Sequence, residues 1–235
     1  MKVYKFGGAS IKDYKSIIRL SKIIRKENHD EMILIVSAMG KTTNLMEEFV
    51  LSYLKSFKNL EDKFELVKSF HFDIIKNLFK KNNSSIIKIV KSVFEEIDEF
   101  LKKNKENDYN LIYDQLVSYG EILSSIIISK YLESIGLKSK WIDARSCIKT
   151  DEYYRDANVD FEKTSKSIKR KIKDKGLYVS QGFIGSNKKS FTTTLGREGS
   201  DYSAAIFAHA LKAESVTIWK DVRGVLNADP RYFNR

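Results

Sequence analysis

Short apolar segments alternate with amphipathic segments along most of this chain. Met32–Val36 is a continuous apolar run, which is typical of a parallel strand buried on both faces. Over Asp13–Glu27 the apolar residues instead recur at helical intervals, which predicts a helix. The same reasoning predicts strands at Val3–Phe6, Lys140–Asp143, Leu177–Gln181, Ser190–Thr194 and Glu214–Trp219, and helices at Tyr109–Ser134 and Phe161–Lys175. This alternation predicts an α/β fold, an αβα sandwich with a mainly parallel central sheet.

The region from about Leu51 to Asn107 is rich in lysine and contains neither glycine nor proline. Its apolar residues recur at helical intervals. We expect a helical hairpin there that covers one side of the domain.

Glycine is sparse, and its positions indicate binding loops. Six of the 11 glycines lie in four loops that directly follow predicted strands: Gly7, Gly8, Gly40, Gly196, Gly199 and Gly224. In open parallel sheets, ligands bind where such loops meet, at the carboxyl ends of the strands. Thr192–Ala205 runs from a strand end through two glycines into a helix, whose free N–H groups suit an anion such as phosphate. Val3–Ser10 sets one lysine beside two glycines, so the two loops together indicate a phosphoryl-transfer site.

The composition excludes several classes of protein. The chain has 42 basic and 31 acidic residues, but the excess is lysine scattered over polar helix faces, so we expect no nucleic-acid partner. Its 235 residues suffice for one domain with a full core. The single cysteine, Cys147, supports neither a disulfide framework nor a thiolate metal cluster, and no apolar run has the length of a membrane span. We therefore expect a cytoplasmic protein with no membrane partner.

Two large classes of kinase are excluded because the chain has neither a P-loop nor the protein-kinase signature set. Other motifs are present instead, at Val3–Ser10, Ser37–Leu45, Ser118–Glu121, Gln181–Gly185, Thr192–Ala205 and Ile218–Gly224. The most specific is Thr-Thr-Thr-Leu-Gly-Arg-x-Gly-Ser-Asp-Tyr, which begins at Thr192. With this combination the whole chain resembles the catalytic domain of the aspartokinases, within the amino acid kinase fold family.

The resemblance implies ATP-dependent phosphorylation of the side-chain carboxylate of L-aspartate, giving 4-phospho-L-aspartate, with ATP and Mg²⁺ as cofactors. This reaction is the first step in the biosynthesis of lysine, threonine and methionine. The resemblance also implies a homo-oligomer for the full-length enzyme.

Roles for individual residues are also implied by the resemblance, and they suit phosphoryl transfer, which depends on positioning and charge neutralisation. Lys5 and Asp201 are the expected catalytic residues, with Lys5 holding the transferring phosphoryl oxygens as a point charge. The planar guanidinium of Arg197 would donate two parallel hydrogen bonds to the α-carboxylate of aspartate, and Glu121 would pair with the α-ammonium. The expected substrate-binding residues are Ser37, Thr43, Glu121 and Arg197. The expected nucleotide-binding residues are Lys5, Gly7, Gly8, Lys220, Asp221, Asp229 and Arg231, and no side chain is assigned to the metal.

The chain also departs from the family pattern. Ala9 replaces a threonine near the phosphates, and Arg223 replaces a proline in a turn. The resemblance predicts that the kinase domain continues beyond residue 235, with a second phosphate-binding lysine, and that two ACT-type regulatory domains follow. We therefore expect an amino acid kinase domain at residues 1–235 that is incomplete at its C-terminus and lacks the regulatory domains.

Two alternatives stay open at this stage. The chain could be a noncatalytic or split-enzyme fragment of an aspartokinase, which binds nucleotide without turnover. It could also be a related enzyme of the amino acid kinase fold that acts on glutamate or uridylate. The presence of both Arg197, for an α-carboxylate, and Glu121, for an α-ammonium, favours a free α-amino acid as the substrate.

Overall fold

A parallel sheet forms the centre of the computed structural model, which describes residues 1–27, 29–55, 59–80 and 83–220. Within these residues the sheet has five strands: β1 Lys2–Phe6, β2 Glu31–Val36, β3 Ser139–Ile142, β4 Gly176–Gln181 and β7 Ser215–Trp219. Their order is β3-β4-β2-β1-β7, and every neighbouring pair is parallel. A separate antiparallel pair consists of β5, Ile184–Ser186, and β6, Thr192–Thr194.

The two central strands show why the chain forms this sheet. β2 is buried from Met32 to Val36, as an apolar strand covered on both faces must be. β1 lies between β2 and β7, with Lys5 opposite Ile35 on one side and Ile218 on the other. Because β1 and β7 are parallel neighbours, Gly7 after β1 and Lys220 after β7 lie at the same edge of the sheet.

Helices cover both faces of the sheet. Their bounds are α1 Tyr14–Lys26, α2 Thr42–Lys55, α3 Leu60–Phe79, α4 Ser84–Lys103, α5 Tyr109–Val117, α6 Tyr119–Ser134, α7 Phe161–Lys171 and α8 Gly199–Leu211. Helices α1 to α6 bury the larger core, which includes Phe49 and Phe94. Helices α7 and α8 bury a second core on the opposite face, around Ile33 and Phe207. The predicted αβα sandwich with a mainly parallel sheet is confirmed.

Aspartate side chains fix the starts of three helices. Asp13 accepts a hydrogen bond from the Ser16 N–H (2.7 Å) at the start of α1. Asp108 and Asp160 do the same for the first turns of α5 and α7. Each carboxylate satisfies a backbone donor that the helix itself leaves unpaired.

The segment Tyr109–Ser134, predicted as one helix, is two helices in the structure. The break lies at Ser118, whose hydroxyl bonds back to the Gln115 carbonyl (2.9 Å). Gly120 follows the break, and a Cβ there would lie only 3.0 Å from that of Ala38. The bend therefore allows α6 to pack closely on the loop after β2.

By length and composition, Tyr109–Ser134 is apolar enough to cross a membrane, although the sequence analysis found no run of that length. In the fold, 83% of its 18-residue apolar window is buried. The apolar residues of this segment therefore pack within the protein core.

Other element boundaries also differ from the prediction. The helix expected to reach Lys175 ends at Lys171. The strand expected from Ser190 begins at Thr192, because Ser190 adopts a positive φ of 65° in the preceding turn. The region predicted as a helical hairpin contains the end of α2 and all of α3 and α4.

His71 in α3 is a buried titratable group within the larger core. Its side chain is fully buried, and its ring packs edge-on against Phe70 and Phe94. Nδ1 lies 2.7 Å from the Val67 carbonyl oxygen, while Nε2 has no hydrogen-bond partner among the described residues. Burial disfavours the charged ring and lowers the pKa of His71 to about 4.

We expect His71 to make the protein sensitive to acid. The unfolded chain takes up a proton at this ring below about pH 6.5, whereas the folded protein does so only near pH 4. The free energy of unfolding should therefore fall as the pH drops from 6.5 to 4, by up to about 3 kcal/mol from this residue. Urea denaturation at pH 7 and 4.5 measures the loss. Relative to His71→Leu, the wild type should lose stability between pH 7 and 4.5, because only the wild type carries the buried ring, and the exposed His209→Gln should follow the wild type. An unchanged pH dependence in His71→Leu would contradict the assignment.

Candidate active site

The loops at the carboxyl edge of the sheet enclose a cavity of about 240 Å³, here called the central cavity. Lys5 reaches it from β1, Ser37 from the loop after β2, and Glu121 from the first turn of α6. The complete lining is Lys5, Ser37, Thr43, Glu121, Phe183, Gly196, Glu198, Gly199 and Ser200. The fold thus brings together four of the residues that the sequence analysis assigned to the site, namely Lys5, Ser37, Thr43 and Glu121.

Four charged side chains beside this cavity form what we call the lysine–carboxylate cluster: Lys5, Glu198, Asp201 and Lys220. Lys5 Nζ lies 2.6 Å from Asp201 Oδ1, and Lys220 Nζ lies 2.8 Å from Asp201 Oδ2. Lys220 Nζ also lies 3.1 Å from Glu198 Oε2. Lys5 is only 5% exposed, and a charge buried to this degree needs a partner of opposite sign.

The electrostatics of the cluster keep its ion pairs charged. Burial alone would raise the pKa of Asp201, but hydrogen bonds from Lys220 and Lys5 hold that pKa below its ordinary value. The bonds to Asp201 and Glu198 in turn raise the pKa of Lys220. The two ammonium groups are therefore held on either side of one carboxylate.

Glu121 is a buried carboxylate with an unused oxygen. Oε1 accepts a hydrogen bond from the Ala38 N–H (3.2 Å), while Oε2 has no hydrogen-bond partner among the described residues. Burial raises the pKa of Glu121 to about 8, although the hydrogen bond from the Ala38 N–H stabilises the ionised form and lowers this pKa. An unsatisfied buried carboxylate is costly, and a cationic group in the central cavity would relieve that cost.

Gly8 lets the loops after β1 and β2 touch. A Cβ at Gly8 would lie 2.7 Å from the Ala38 carbonyl oxygen, too close for any side chain. The Gly8 carbonyl in turn accepts a bond from the Gly40 N–H (3.0 Å). Gly7 was expected to bind the nucleotide, but its N–H donates to the Trp219 carbonyl (3.1 Å). That N–H therefore extends the pairing of β1 with β7 rather than facing a ligand.

Arg197 lies apart from the central cavity. Its side chain is exposed and lines a larger neighbouring cavity of about 710 Å³, here called the outer cavity. The two cavities share Gly196, which has a φ of +69° and no room for a Cβ beside Asp156. Arg197 is thus at the rim of the candidate site, and its expected contact with an α-carboxylate remains a prediction.

Two adjacent residues of α5, which the sequence analysis did not single out, hold β6 in place. Asp114 accepts hydrogen bonds from the Thr194 N–H (2.8 Å), the Thr194 hydroxyl (2.7 Å) and the Arg155 N–H (3.0 Å). Gln115 exchanges two bonds with the backbone of Thr192 (2.8 and 3.0 Å). Burial raises the pKa of Asp114 to about 6 in spite of its three donors. Because β6 leads directly to Gly196, these contacts position the wall of both cavities.

Glu121 was expected from the resemblance, and it is also a carboxylate in an apolar helical run. The same signal applies to Asp114 and could have found it. Phe183 and Ser200 line the central cavity too and were likewise not singled out. Phe183 has a φ of +71°, an uncommon backbone conformation for a bulky residue. It lies within the Gln181–Gly185 motif, but the sequence analysis gave its side chain no role.

Asp221, Asp229 and Arg231 lie outside the described residues. Among the residues that are described, no group of three or more His, Cys, Asp or Glu side chains could hold a metal ion.

Known proteins are similar to this chain in both sequence and fold. The model of the amino acid kinase family matches residues 1–235. The chain is 31% identical over 232 residues to the lysine-sensitive aspartokinase 3 of Escherichia coli, covering 97% of this chain and 51% of that protein. It is 32% identical over 248 residues to the chloroplastic aspartokinase 1 of Arabidopsis thaliana, covering 99% and 42%. A crystal structure of E. coli aspartokinase III in complex with aspartate and ADP matches with a TM-score of 0.87 at 30% identity, covering 98% of this chain and 51% of that one.

These relatives confirm the resemblance to the aspartokinases that the motifs indicated. The chain spans about half the length of the E. coli relative and less of the Arabidopsis one.

We expect Asp114 to be essential for the order of the cavity wall. Asp114→Ala leaves two backbone N–H groups and a hydroxyl without their acceptor, which should lower the free energy of unfolding by about 2–4 kcal/mol. Hydrogen exchange should quicken at the amides of Thr194 and Arg155. The control is Asp174→Ala, because the Asp174 side chain is 81% exposed. Unchanged protection of both amides in Asp114→Ala would show that the wall is held by other contacts.

Proposed function

This chain belongs to the amino acid kinase family, and on that basis we propose that it transfers the γ-phosphoryl group of ATP to the side-chain carboxylate of L-aspartate. The product is 4-phospho-L-aspartate, and the reaction is the first step toward lysine, threonine and methionine. Because the chain spans only about half of its E. coli relative, the activity of that whole protein is carried over here as a proposal.

One observation carries the proposal: an almost buried ammonium and an almost buried carboxylate, Lys5 and Glu121, line the same small cavity. Lys5 suits a phosphoryl group, and the unpartnered Oε2 of Glu121 suits a cation. A substrate that satisfies both must carry a phosphoryl acceptor and an ammonium group close together, as an amino acid with a side-chain carboxylate does. The relative of known structure that contains aspartate and ADP supports this choice.

In the proposed reaction the chain supplies position and charge. A side-chain carboxylate oxygen of aspartate attacks the γ-phosphorus of ATP, and a new phosphorus–oxygen bond forms. The bond between that phosphorus and the β,γ-bridging oxygen breaks, and its electron pair leaves with ADP. The attacking carboxylate is already ionised, so no general base is required. Lys5 neutralises charge on the transferring oxygens, Asp201 holds Lys5 in place, and Glu121 orients the α-ammonium.

Magnesium enters this proposal with the nucleotide. The carboxylate of Asp201 is occupied by two ammonium groups, so it does not fit the role of a metal ligand in this arrangement. Mg²⁺ commonly keeps several waters and is held largely by substrate phosphates. No step in the proposal depends on a protein-borne metal site.

Aspartate is favoured over glutamate or uridylate because the relatives of this chain are aspartokinases. Uridylate has no ammonium group for Glu121. The remaining alternative is a chain that binds nucleotide without turnover, and an activity measurement distinguishes the two.

We expect the 235-residue chain to release ADP from ATP in the presence of L-aspartate and Mg²⁺, and not with L-glutamate or uridylate. A coupled ADP assay together with hydroxamate trapping of the acyl phosphate measures the product. Lys5→Met should lower kcat by about a hundredfold and change the KM for aspartate little, because its contact strengthens as charge moves in the transition state. Lys2→Met, on the same strand but at its other end, is the control. ATP binding with no aspartate-dependent ADP release would favour the noncatalytic alternative.

Arg197 should determine affinity for aspartate. Arg197→Ala removes a charge-assisted contact to the α-carboxylate, so the KM for aspartate should rise about tenfold to a hundredfold while ATP binding stays unchanged. The exposed Arg170→Ala on α7 is the matched control. Weaker ATP binding with an unchanged KM for aspartate would place Arg197 at the nucleotide instead.

A further inference from the structure

We infer that the outer cavity binds a free α-amino acid, with the α-carboxylate on Arg155 and the α-ammonium on Asp156. Both residues line the outer cavity, and neither is part of the lining of the central cavity. The site is therefore additional to the one proposed for phosphoryl transfer, and the inference does not depend on that reaction.

The guanidinium of Arg155 is held in place by aromatic rings. Its Cζ lies 4.4 Å from the ring centroid of Tyr113 and 5.2 Å from that of Tyr109. Such cation–π contacts fix the guanidinium without supplying an oxygen acceptor for its N–H donors. Within the part of the chain that the structure describes, the guanidinium has no hydrogen-bond or ion-pair partner. In contrast, the guanidinium of Arg145 pairs with Asp143 (2.7 Å). Arg155 thus offers a positioned fork for the carboxylate of a ligand.

The backbone of Arg155 is fixed by the same helix that provides the rings. Its φ is +70°, an uncommon conformation for a residue with a side chain. Its N–H donates to the buried carboxylate of Asp114 (3.0 Å). Asp114 and Tyr113 are neighbours in α5, so one helix holds both the main chain and the guanidinium of Arg155. Backbone strain that is maintained in this way is concentrated at ligand-binding sites.

Asp156 supplies the negative charge of the site. Its carboxylate lies against Gly196, too close for a Cβ there, and it has no hydrogen-bond or ion-pair partner among the described residues. The other two carboxylates of the lining are engaged. Asp108 accepts bonds from the first turn of α5, and Glu152 pairs with Lys189 (2.7 Å). Asp156 is therefore the carboxylate of this cavity that gains most from a cationic ligand.

The charges of Arg155 and Asp156 together match a zwitterion. The two side chains do not pair with each other, so the cavity presents a cation and an anion on adjacent residues. Asp156 disfavours a simple anion and Arg155 a simple cation, whereas the two charged groups of an α-amino acid satisfy both. Arg197 lines the same cavity, and its positive charge favours an acidic side chain. The volume of about 710 Å³ leaves room for that side chain, so L-aspartate is the appropriate probe.

The test measures L-aspartate binding by calorimetry without nucleotide, in variants that retain the wild-type melting temperature. Glu121→Gln removes the negative charge of the central cavity, so the binding that remains in this variant reports the outer cavity. Adding Arg155→Gly or Asp156→Asn should weaken this remaining binding about tenfold or more. Glycine accepts the positive φ at position 155, so Arg155→Gly removes the guanidinium without straining the loop. Lys212→Gly is the matched control, because Lys212 is also an exposed cation at a positive φ (49°).

Two further probes in the Glu121→Gln variant identify the ligand. Succinate lacks the ammonium group of L-aspartate and should bind about tenfold more weakly or less. L-Alanine lacks the side-chain carboxylate. Affinity equal to that of L-aspartate would support a site for amino acids in general, and weaker binding would support a site for acidic ones.

Equal affinities for succinate and L-aspartate would overturn the inference, as would unchanged L-aspartate binding after Arg155→Gly. Loss of all L-aspartate binding in Glu121→Gln alone would assign the binding to the central cavity and would also overturn it. An outer cavity that binds L-aspartate in a chain that releases no ADP would refute the proposed function alone. Aspartate-dependent ADP release without binding at the outer cavity would refute this inference alone.

Discussion

The ion pair between Lys5 and Asp201 is the interaction on which the rest of the candidate site depends. A nearly buried ammonium cannot persist without a partner, and Asp201 is provided by the first turn of α8. This requirement ties β1 to α8 and thereby sets where the loop from Gly196 to Gly199 must lie. The same carboxylate then holds Lys220, so one side chain links two strands and a helix.

Glu121, which also lines the central cavity, imposes a second constraint. Its bond to the Ala38 N–H ties α6 to the loop after β2, and Gly120 makes that approach close enough. The lining of the cavity therefore includes a paired ammonium and an incompletely satisfied carboxylate. The unpartnered oxygen of Glu121 is costly to leave in this state, and a cationic group of a ligand lowers that cost.

Much of this arrangement could be predicted from the sequence, because apolar strands and glycine loops leave strong local patterns. The order of the strands along the chain, the loops that follow them, and the lysine beside the glycines of Val3–Ser10 all depended on such patterns, whereas the roles of Lys5 and Glu121 came from the resemblance. The break at Ser118 could not be predicted, since apolar spacing continues through it and the close approach of Gly120 to Ala38 that accompanies it is a tertiary contact. Gly7 shows the same limit: a glycine pair predicts a loop, but which N–H is free depends on a strand more than 200 residues away. Arg197 has a specific motif around it, yet its place at the rim depends on how Asp114 holds β6.

The pairing of β1 with β7 has a consequence for how the protein is made. The Ser10 hydroxyl and the Trp219 carbonyl that bond across this junction are 209 residues apart in sequence. During synthesis β1 emerges first, and β2 can pair with it soon afterwards, but its other edge must wait for β7. Contacts of such long range slow folding, and an unpaired apolar strand edge promotes association in the meantime. Nascent chains of this protein therefore keep the β1 edge open until β7 has been made, which makes that edge the expected point of chaperone dependence.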